Sequence, residues 1–312
     1  MARRESIQFP QALRPGDAVR LITPASPYDK KRMRAGMKVL EQMGYVPLLD
    51  EGRMLSSGGR RYLANSDEAR AELLVEALRE KESRAVWAIR GGYGSARLLP
   101  LAKIARVKGL PKWLIGFSDI TALHLARWQA AKIVGLHGPV LTQLAELPKT
   151  QLRWLADLLA GEVEGQELPL GASRCVMPGK IRGRLVGGNL SMLASLVGTP
   201  YQPNFRGGIL MLEDVGEPTY RLDRAWTQLL QAGVFKGLKG LVLGQWVRCL
   251  PAGRSRHGVR AVMESLALEL GVPCVSGATF GHAEKNVAWP VGLLAELDAK
   301  ARTLRLLEDA AR

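Results

Sequence analysis

The first half of the chain alternates short apolar runs with segments of helical period. Asp17-Ala-Val-Arg-Leu-Ile-Thr23 is a short apolar strand that ends in a Pro/Ser turn. From Lys31 to Met43 the apolar residues Met33, Met37 and Leu40 fall on one helical face, and Gly44 stops the helix. Tyr45 to Leu49 reads as the next strand. Ser66 to Lys81 predicts a helix capped by Ser66, with Ala69, Leu73, Leu74 and Leu78 as its inward stripe. Ala85 to Arg90 is an apolar strand that runs into Gly91-Gly92-Tyr93-Gly94. Trp113 to Gly116 is another strand, and Asp119 to Ala131 another helix. Strand–helix alternation at this pitch predicts a parallel sheet covered on both faces.

The rhythm breaks between Leu147 and Pro178, which hold one helix, around Gln151 to Leu159, and then an irregular Gly/Pro-bearing stretch. The expected division is a first domain over residues 1–165, a linker over 166–178 and a second domain over 179–312. In the second domain the strands expected are Gly208–Glu213, Leu241–Trp246, Pro273–Ser276 and an alternating terminal hairpin, Leu293–Lys300 with Thr303–Glu308. Helices are expected at Leu190–Val197, Leu222–Gln231 and Val259–Leu270. There is no internal repeat and no low-complexity tract.

A length of 312 residues suits two such domains, and 47% hydrophobic with 23% charged residues is ordinary globular composition. No stretch approaches the roughly 18 uninterrupted apolar residues of a membrane helix. The basic start, Met1 to Pro15, has no apolar block behind it, so a cytoplasmic location is expected. Cys175, Cys249 and Cys274 are widely spaced and odd in number, which points to buried thiols rather than disulfides. Four histidines without an H-E-x-x-H spacing give no reason to expect a metal. The net charge of +15 raises the question of nucleic acid. However, the basic residues are scattered and locally balanced, and the densest group (Arg248, Arg254, Arg256, Arg260) has no aromatics interleaved for base stacking. A solvated basic surface, able to attract a small anionic substrate, is the simpler reading.

The strongest chemical signal is Leu114-Ile-Gly-Phe-Ser118-Asp-Ile-Thr121. An apolar strand enters Gly-x-Ser and passes straight into a helix, as in a nucleophile elbow, where the helix N-terminus favours developing negative charge. The usual second glycine is absent, since position 120 is Ile, and Ser118 acting only as a helix cap is the plainer alternative. The glycine turn 91–94 fails the dinucleotide fingerprint because position 97 is Arg, but glycines also let backbone N–H groups approach an oxyanion. A hydroxyl nucleophile needs a base and an orienting acid. His124 lies inside the helix after Ser118 and points elsewhere, His257 sits in an arginine-rich loop, and His137 starts a loop and stays open as the base. His282, in Phe280-Gly-His-Ala-Glu-Lys-Asn286, follows an apolar strand and has small neighbours. Ile209-Leu-Met-Leu-Glu213-Asp214 ends a buried strand on a carboxylate, which must have a partner there.

Together these segments resemble the LD-carboxypeptidases and the related microcin C immunity peptidases. The resemblance rests on Arg90-Gly-Gly-Tyr-Gly94, Ile115-Gly-Phe-Ser-Asp119, Gly187-Gly-Asn-Leu190, Leu212-Glu-Asp-Val-Gly-Glu217, Tyr220-Arg-Leu-Asp-Arg224 and Gly281-His282. These occur in the family's order and cover nearly the whole chain. The resemblance implies an α/β fold: an N-terminal flavodoxin-like parallel-sheet domain, then a smaller swivelling β/α domain. It puts the nucleophile on Ser118, the base on His282 and the orienting acid on Glu213, with backbone N–H groups of Gly92 and Asp119 as the oxyanion hole. Glu217 is the rival acid, but Gly216 and Pro218 put it in a turn.

The implied activity is a cytoplasmic serine carboxypeptidase that releases terminal D-alanine from murein tetrapeptides during peptidoglycan recycling, with no metal or cofactor. The implied partner is a small anionic murein peptide, with neither nucleic acid nor membrane, and a homodimer is left open. A microcin-type peptidase cleaving an aminoacyl-nucleotide amide is the nearest alternative. Against it, the segment between Gly165 and Gly183 is short and has no Trp to stack an adenine. A non-catalytic muropeptide-binding protein is the other alternative, and the presence of Ser, Glu and His at all three positions argues against it.

Overall fold

The computed structural model describes residues 6–55, 60–103, 111–250 and 258–312. The chain divides into two compact units, one of residues 1–162 with 310–312 and one of residues 163–309. The first contains β1 (Ala18–Ile22), α1 (Lys30–Gln42), β2 (Val46–Leu48), α2 (Glu51–Met54), α3 (Asp67–Arg79), β3 (Ala85–Ala88), α4 (Leu99–Ala102), β4 (Trp113–Gly116), α5 (Thr121–Ala131), β5 (Gly135–His137) and α6 (Lys149–Ala160). Its strands run parallel in the order β5-β4-β3-β1-β2. This is a flavodoxin-like winding, with the order reversing between β1 and β3. Every residue of β3 and β4 is buried, as expected of central strands covered on both faces. Pro47, which cannot donate to a ladder, sits on the edge strand β2. Ser66 caps α3 by accepting from the Ala69 N–H, and Leu73, Leu74 and Leu78 face the core.

The second unit contains β6 (Arg174–Met177), β7 (Lys180–Asn189), α7 (Leu190–Ser195), β8 (Gly208–Val215), α8 (Thr219–Gln231), β9 (Gly240–Val247), α9 (Val259–Glu269), β10 (Cys274–Ser276), β11 (Trp289–Val291), β12 (Leu294–Asp298) and β13 (Thr303–Leu306). Its sheet is ordered β13-β12-β7-β8-β9-β10-β6. The four strands from β7 to β10 are parallel, and β6, β12 and β13 pair antiparallel at the margins.

Several expectations are corrected. The stretch 166–178, expected as a linker, lies within the second unit and holds β6, which pairs with β10. Residues 310–312 group with the first unit. Cys175 is exposed on the marginal strand β6, whereas Cys249 and Cys274 are buried. His137 closes β5 rather than starting a loop. Arg254, Arg256 and His257 lie outside the described residues. Among the described residues, no helix is long and apolar enough to cross a membrane, and no group of His, Cys, Asp and Glu is arranged to hold a metal.

Candidate active site

Ser118 follows β4 directly and has a left-handed backbone, φ 62°. A non-glycine residue enters that region only where its surroundings enforce it. Ser118 lies inside a short 3-10 turn, Ser118–Ile120, ahead of α5, and the cap positions of the turn and of α5 are Phe117 and Ile120. Ser118 thus opens the turn at the sharp strand-to-helix bend, and the cap positions fall on its neighbours. The missing second glycine also has a reason. Ile120 is buried against Gly116, where a Cβ would stand 3.0 Å from the Ile120 Cγ1 and 3.2 Å from the Ala88 Cβ. The space the bend requires is provided before the serine instead of after it.

The turn after β3 faces this serine. A Cβ on Gly91 would stand 3.2 Å from the Ser118 Cβ and 3.5 Å from its Oγ, so any side chain here would press on the serine. The turn is also tied to the loop after β1, since the Ser26 N–H donates to the Gly91 carbonyl (3.2 Å) and the Tyr93 N–H to the Ser26 Oγ (3.1 Å). Gly92 itself is exposed. These groups cluster at the carboxyl ends of the strands, beside the reversal of strand order, where open α/β sheets bind their ligands.

His124 does point elsewhere. It is buried, its Nε2 lies 2.9 Å from the Gly116 carbonyl oxygen, and burial pushes its pKa down to about 4. As a neutral ring donating from Nε2, it latches the peptide two residues before Ser118. His137 is fully buried at the end of β5, with its ring edge against Phe117.

In the second unit, Glu213 is fully buried on β8, and its Oε2 lies 2.6 Å from the His282 Nδ1. The β8–β9 pairing shifts register here, from Leu212 opposite Leu243 to Asp214 opposite Trp246, so the extra residue lies on β9, facing Glu213. Gly281, φ 121°, makes the approach possible, since a Cβ there would stand 3.0 Å from the Glu213 Oε2. Donation from Nδ1 to the carboxylate leaves the Nε2 lone pair of the neutral ring able to take a proton. The side chain of His282 is only 16% exposed. Glu217, in contrast, is partly exposed in the following turn, and its carboxylate pairs with Arg221 at 3.6 Å.

Two supporting residues carried no role in the sequence reading. The Asn189 side chain, at the end of β7, donates to Asp214 at 2.9 Å and to Glu213 at 3.4 Å. Asp214 is buried and accepts further bonds from the Ser191 N–H (2.9 Å), the Ser191 hydroxyl (2.7 Å) and its neighbour's Val215 N–H (2.7 Å). Burial, then the charge of Glu213, raises its pKa, and the bonds from Ser191, Val215 and Asn189 oppose that rise. Two adjacent buried carboxylates at a strand end, with an Asn at the end of the neighbouring strand, were the available signal.

Comparison with known proteins matches both units. The model of the LD-carboxypeptidase N-terminal domain covers residues 19–138, and that of the LD-carboxypeptidase C-terminal domain covers 182–297. A murein tetrapeptide carboxypeptidase of Pseudomonas aeruginosa is 37% identical over 297 residues, spanning 90% of this chain and 92% of that protein. The crystal structure of a muramoyltetrapeptide carboxypeptidase from Oxalobacter formigenes is similar with a TM-score of 0.80 at 28% identity, over 95% of this chain and 100% of that one. An MccF-like protein from Bacillus anthracis gives a TM-score of 0.83 at 24% identity, over 96% and 99%, a likeness of fold alone. With an elbow serine in one unit, a Glu–His pair in the other and relatives of this kind along its length, the chain belongs to the LD-carboxypeptidase family and is a carboxypeptidase of the serine type.

Proposed function

We propose that the protein hydrolyses the L,D-peptide bond that joins the diamino acid of a murein tetrapeptide to its terminal D-alanine, and does so in the cytoplasm as a step of peptidoglycan recycling. In this reading Ser118 is the nucleophile, His282 the general base and Glu213 the acid that orients it. The Ser118 Oγ attacks the carbonyl carbon while the His282 Nε2 takes its proton. The oxyanion lies against the N–H groups of Gly92 and Asp119, and each such donor is worth about 10²–10³ in rate. His282 returns the proton to the amine, D-alanine leaves, and water cleaves the acyl-enzyme by the same route.

The observation that carries this reading is the left-handed Ser118 at the end of β4, a strained position that an ordinary capping serine has no reason to occupy. The murein substrate is supported by the names of the Pseudomonas and Oxalobacter relatives. The net charge of +15 suits a carboxylate-rich peptide. The test is release of free D-alanine from purified murein tri-, tetra- and pentapeptides. Release from the tetrapeptide alone is expected. If none of the three yields D-alanine while an aminoacyl-sulfamoyl nucleoside is cleaved, the murein reading is wrong and the microcin-type one replaces it.

A further inference from the structure

The loop from Gly91 to Ser95 is held by more than its glycines. Asp119, the residue after the nucleophile, is buried and accepts from the Gly94 N–H at 3.2 Å and the Ser95 N–H at 2.7 Å. The Ser95 hydroxyl returns a bond to the Asp119 carbonyl. On the other side of Gly94, its carbonyl accepts from Arg70 Nη1 at 3.1 Å. Arg70 sits in the first turn of α3, yet it is 2% exposed. Its other donors reach the Pro24 carbonyl in the loop after β1, the Asn65 carbonyl (3.1 Å) before α3, and the Asp67 carboxylate. One guanidinium therefore ties three loops at the carboxyl edge of the first sheet. Between the two ties that Ser26 makes to Gly91 and Tyr93, the Gly92 N–H has no acceptor among the described residues.

We infer that Arg70 and the Asp119 carboxylate are positioning residues: they grip Gly94 from both sides and so fix where the Gly92 N–H stands relative to Ser118. The inference rests on the proposed function for its kinetic consequence, but its geometry lies wholly within the first unit. A buried arginine carries a large desolvation cost and is retained only where its bonds are needed. Here one bond goes to the Asp67 carboxylate and the others to carbonyls of three loops. An oxyanion donor acts on the transition state and not on the bound substrate, and a misplacement of about 1 Å costs about 10²-fold. Loosening the clamp should therefore lower kcat and leave KM nearly unchanged.

The test uses full-length Arg70→Met, Arg70→Lys and Asp119→Asn, each measured for kcat and KM on the tetrapeptide, for the labelling rate of Ser118 by a fluorophosphonate, and for hydrogen exchange. For Arg70→Met, kcat should fall about 10²-fold with KM within about threefold. Arg70→Lys, which keeps the charge but loses the fork, should fall less. Amide exchange should quicken at Tyr93 to Ser95 and not in β3 or β4. Unchanged kcat and labelling, or a rise in KM alone, would overturn the inference. Where Arg70→Met does not fold, Asp119→Asn decides the matter by the same criteria. If the wild type releases no D-alanine, the functional reading has failed separately, and labelling and exchange still judge the clamp.

Discussion

The two halves of the candidate residue set, one in each unit, are built in opposite ways. The Ser118 half is made by the backbone: a left-handed residue, a glycine packed tightly against it, and peptide groups held by Asp119, Arg70 and His124. The Glu213–His282 half is made by side chains: a buried carboxylate, an imidazole 2.6 Å from it, and an amide that ties the neighbouring acids together. A hydroxyl must be aimed and its oxyanion received, and fixed peptides do both. A base must change its protonation during the reaction, which needs a titratable ring and a counter-charge. The first half should therefore tolerate almost no change in main-chain geometry, and the second almost no change in side-chain chemistry.

That contrast is tested most severely at the nucleophile. Ser118→Ala should lower D-alanine release by about 10⁴-fold or more with the melting temperature nearly unchanged. A variant with over a tenth of wild-type turnover would remove Ser118 from the chemistry. Glu213→Gln should cost about 10³–10⁴ in turnover, since the amide misdirects the imidazole tautomer. Adding His282→Ala to it should be little worse than His282→Ala alone, because residues acting as a unit are not additive. Glu217→Gln, which loses a partly exposed ion pair with Arg221, should stay within about tenfold of wild type. If Glu217→Gln is the crippled one, the assignment of the acid is reversed.

A smaller effect should follow Gly281→Ala. The new methyl would crowd the Glu213 carboxylate and the backbone would be strained, so turnover should drop on the order of 10–10²-fold. Wild-type turnover in this variant would mean that the Glu213–His282 spacing has slack.

The smallest effect concerns acid stability and belongs to the first half. His124 has a folded pKa of about 4 against an ordinary 6.5. Between those values the unfolded chain binds a proton that the native one refuses. The contribution is therefore fully present above pH 6.5 and is lost as pH falls toward 4, by about 3 kcal/mol in all. Urea midpoints across this range should flatten in His124→Gln relative to wild type. An identical slope in both would show that the ring titrates freely.

Much of this could be read from the sequence where local pattern and tertiary role agree. The apolar strands β3 and β4, the Ser66 cap, the Gly-x-Ser bend, and a carboxylate ending a buried run all announce themselves locally. β7 did not, although it is central to the second sheet, because Lys180-Ile-Arg-Gly-Arg begins polar and its glycines dilute the alternation. β6 was hidden by its shortness and its place at the sheet margin. Arg70 was illegible for a different reason. An arginine among Asp67, Glu68 and Glu72 reads as part of a solvated helix face, and only the loops folding over it bury it. Asp119 was read for its backbone N–H, while its side chain holds the neighbouring loop.

Residues 310–312 return to the first unit: the Arg312 N–H donates to the Pro10 carbonyl, the Arg312 carbonyl accepts from the Ala12 N–H, and the guanidinium lies 4.1 Å from the centre of the Phe9 ring. In order of synthesis, the second unit is thus an insertion into the first. Until residues 310–312 leave the ribosome, the unit that carries Ser118 lacks these ties, whereas Glu213 and His282 have already been made. A growing chain therefore makes Glu213 and His282 before the unit that carries Ser118 can gain the ties of residues 310–312.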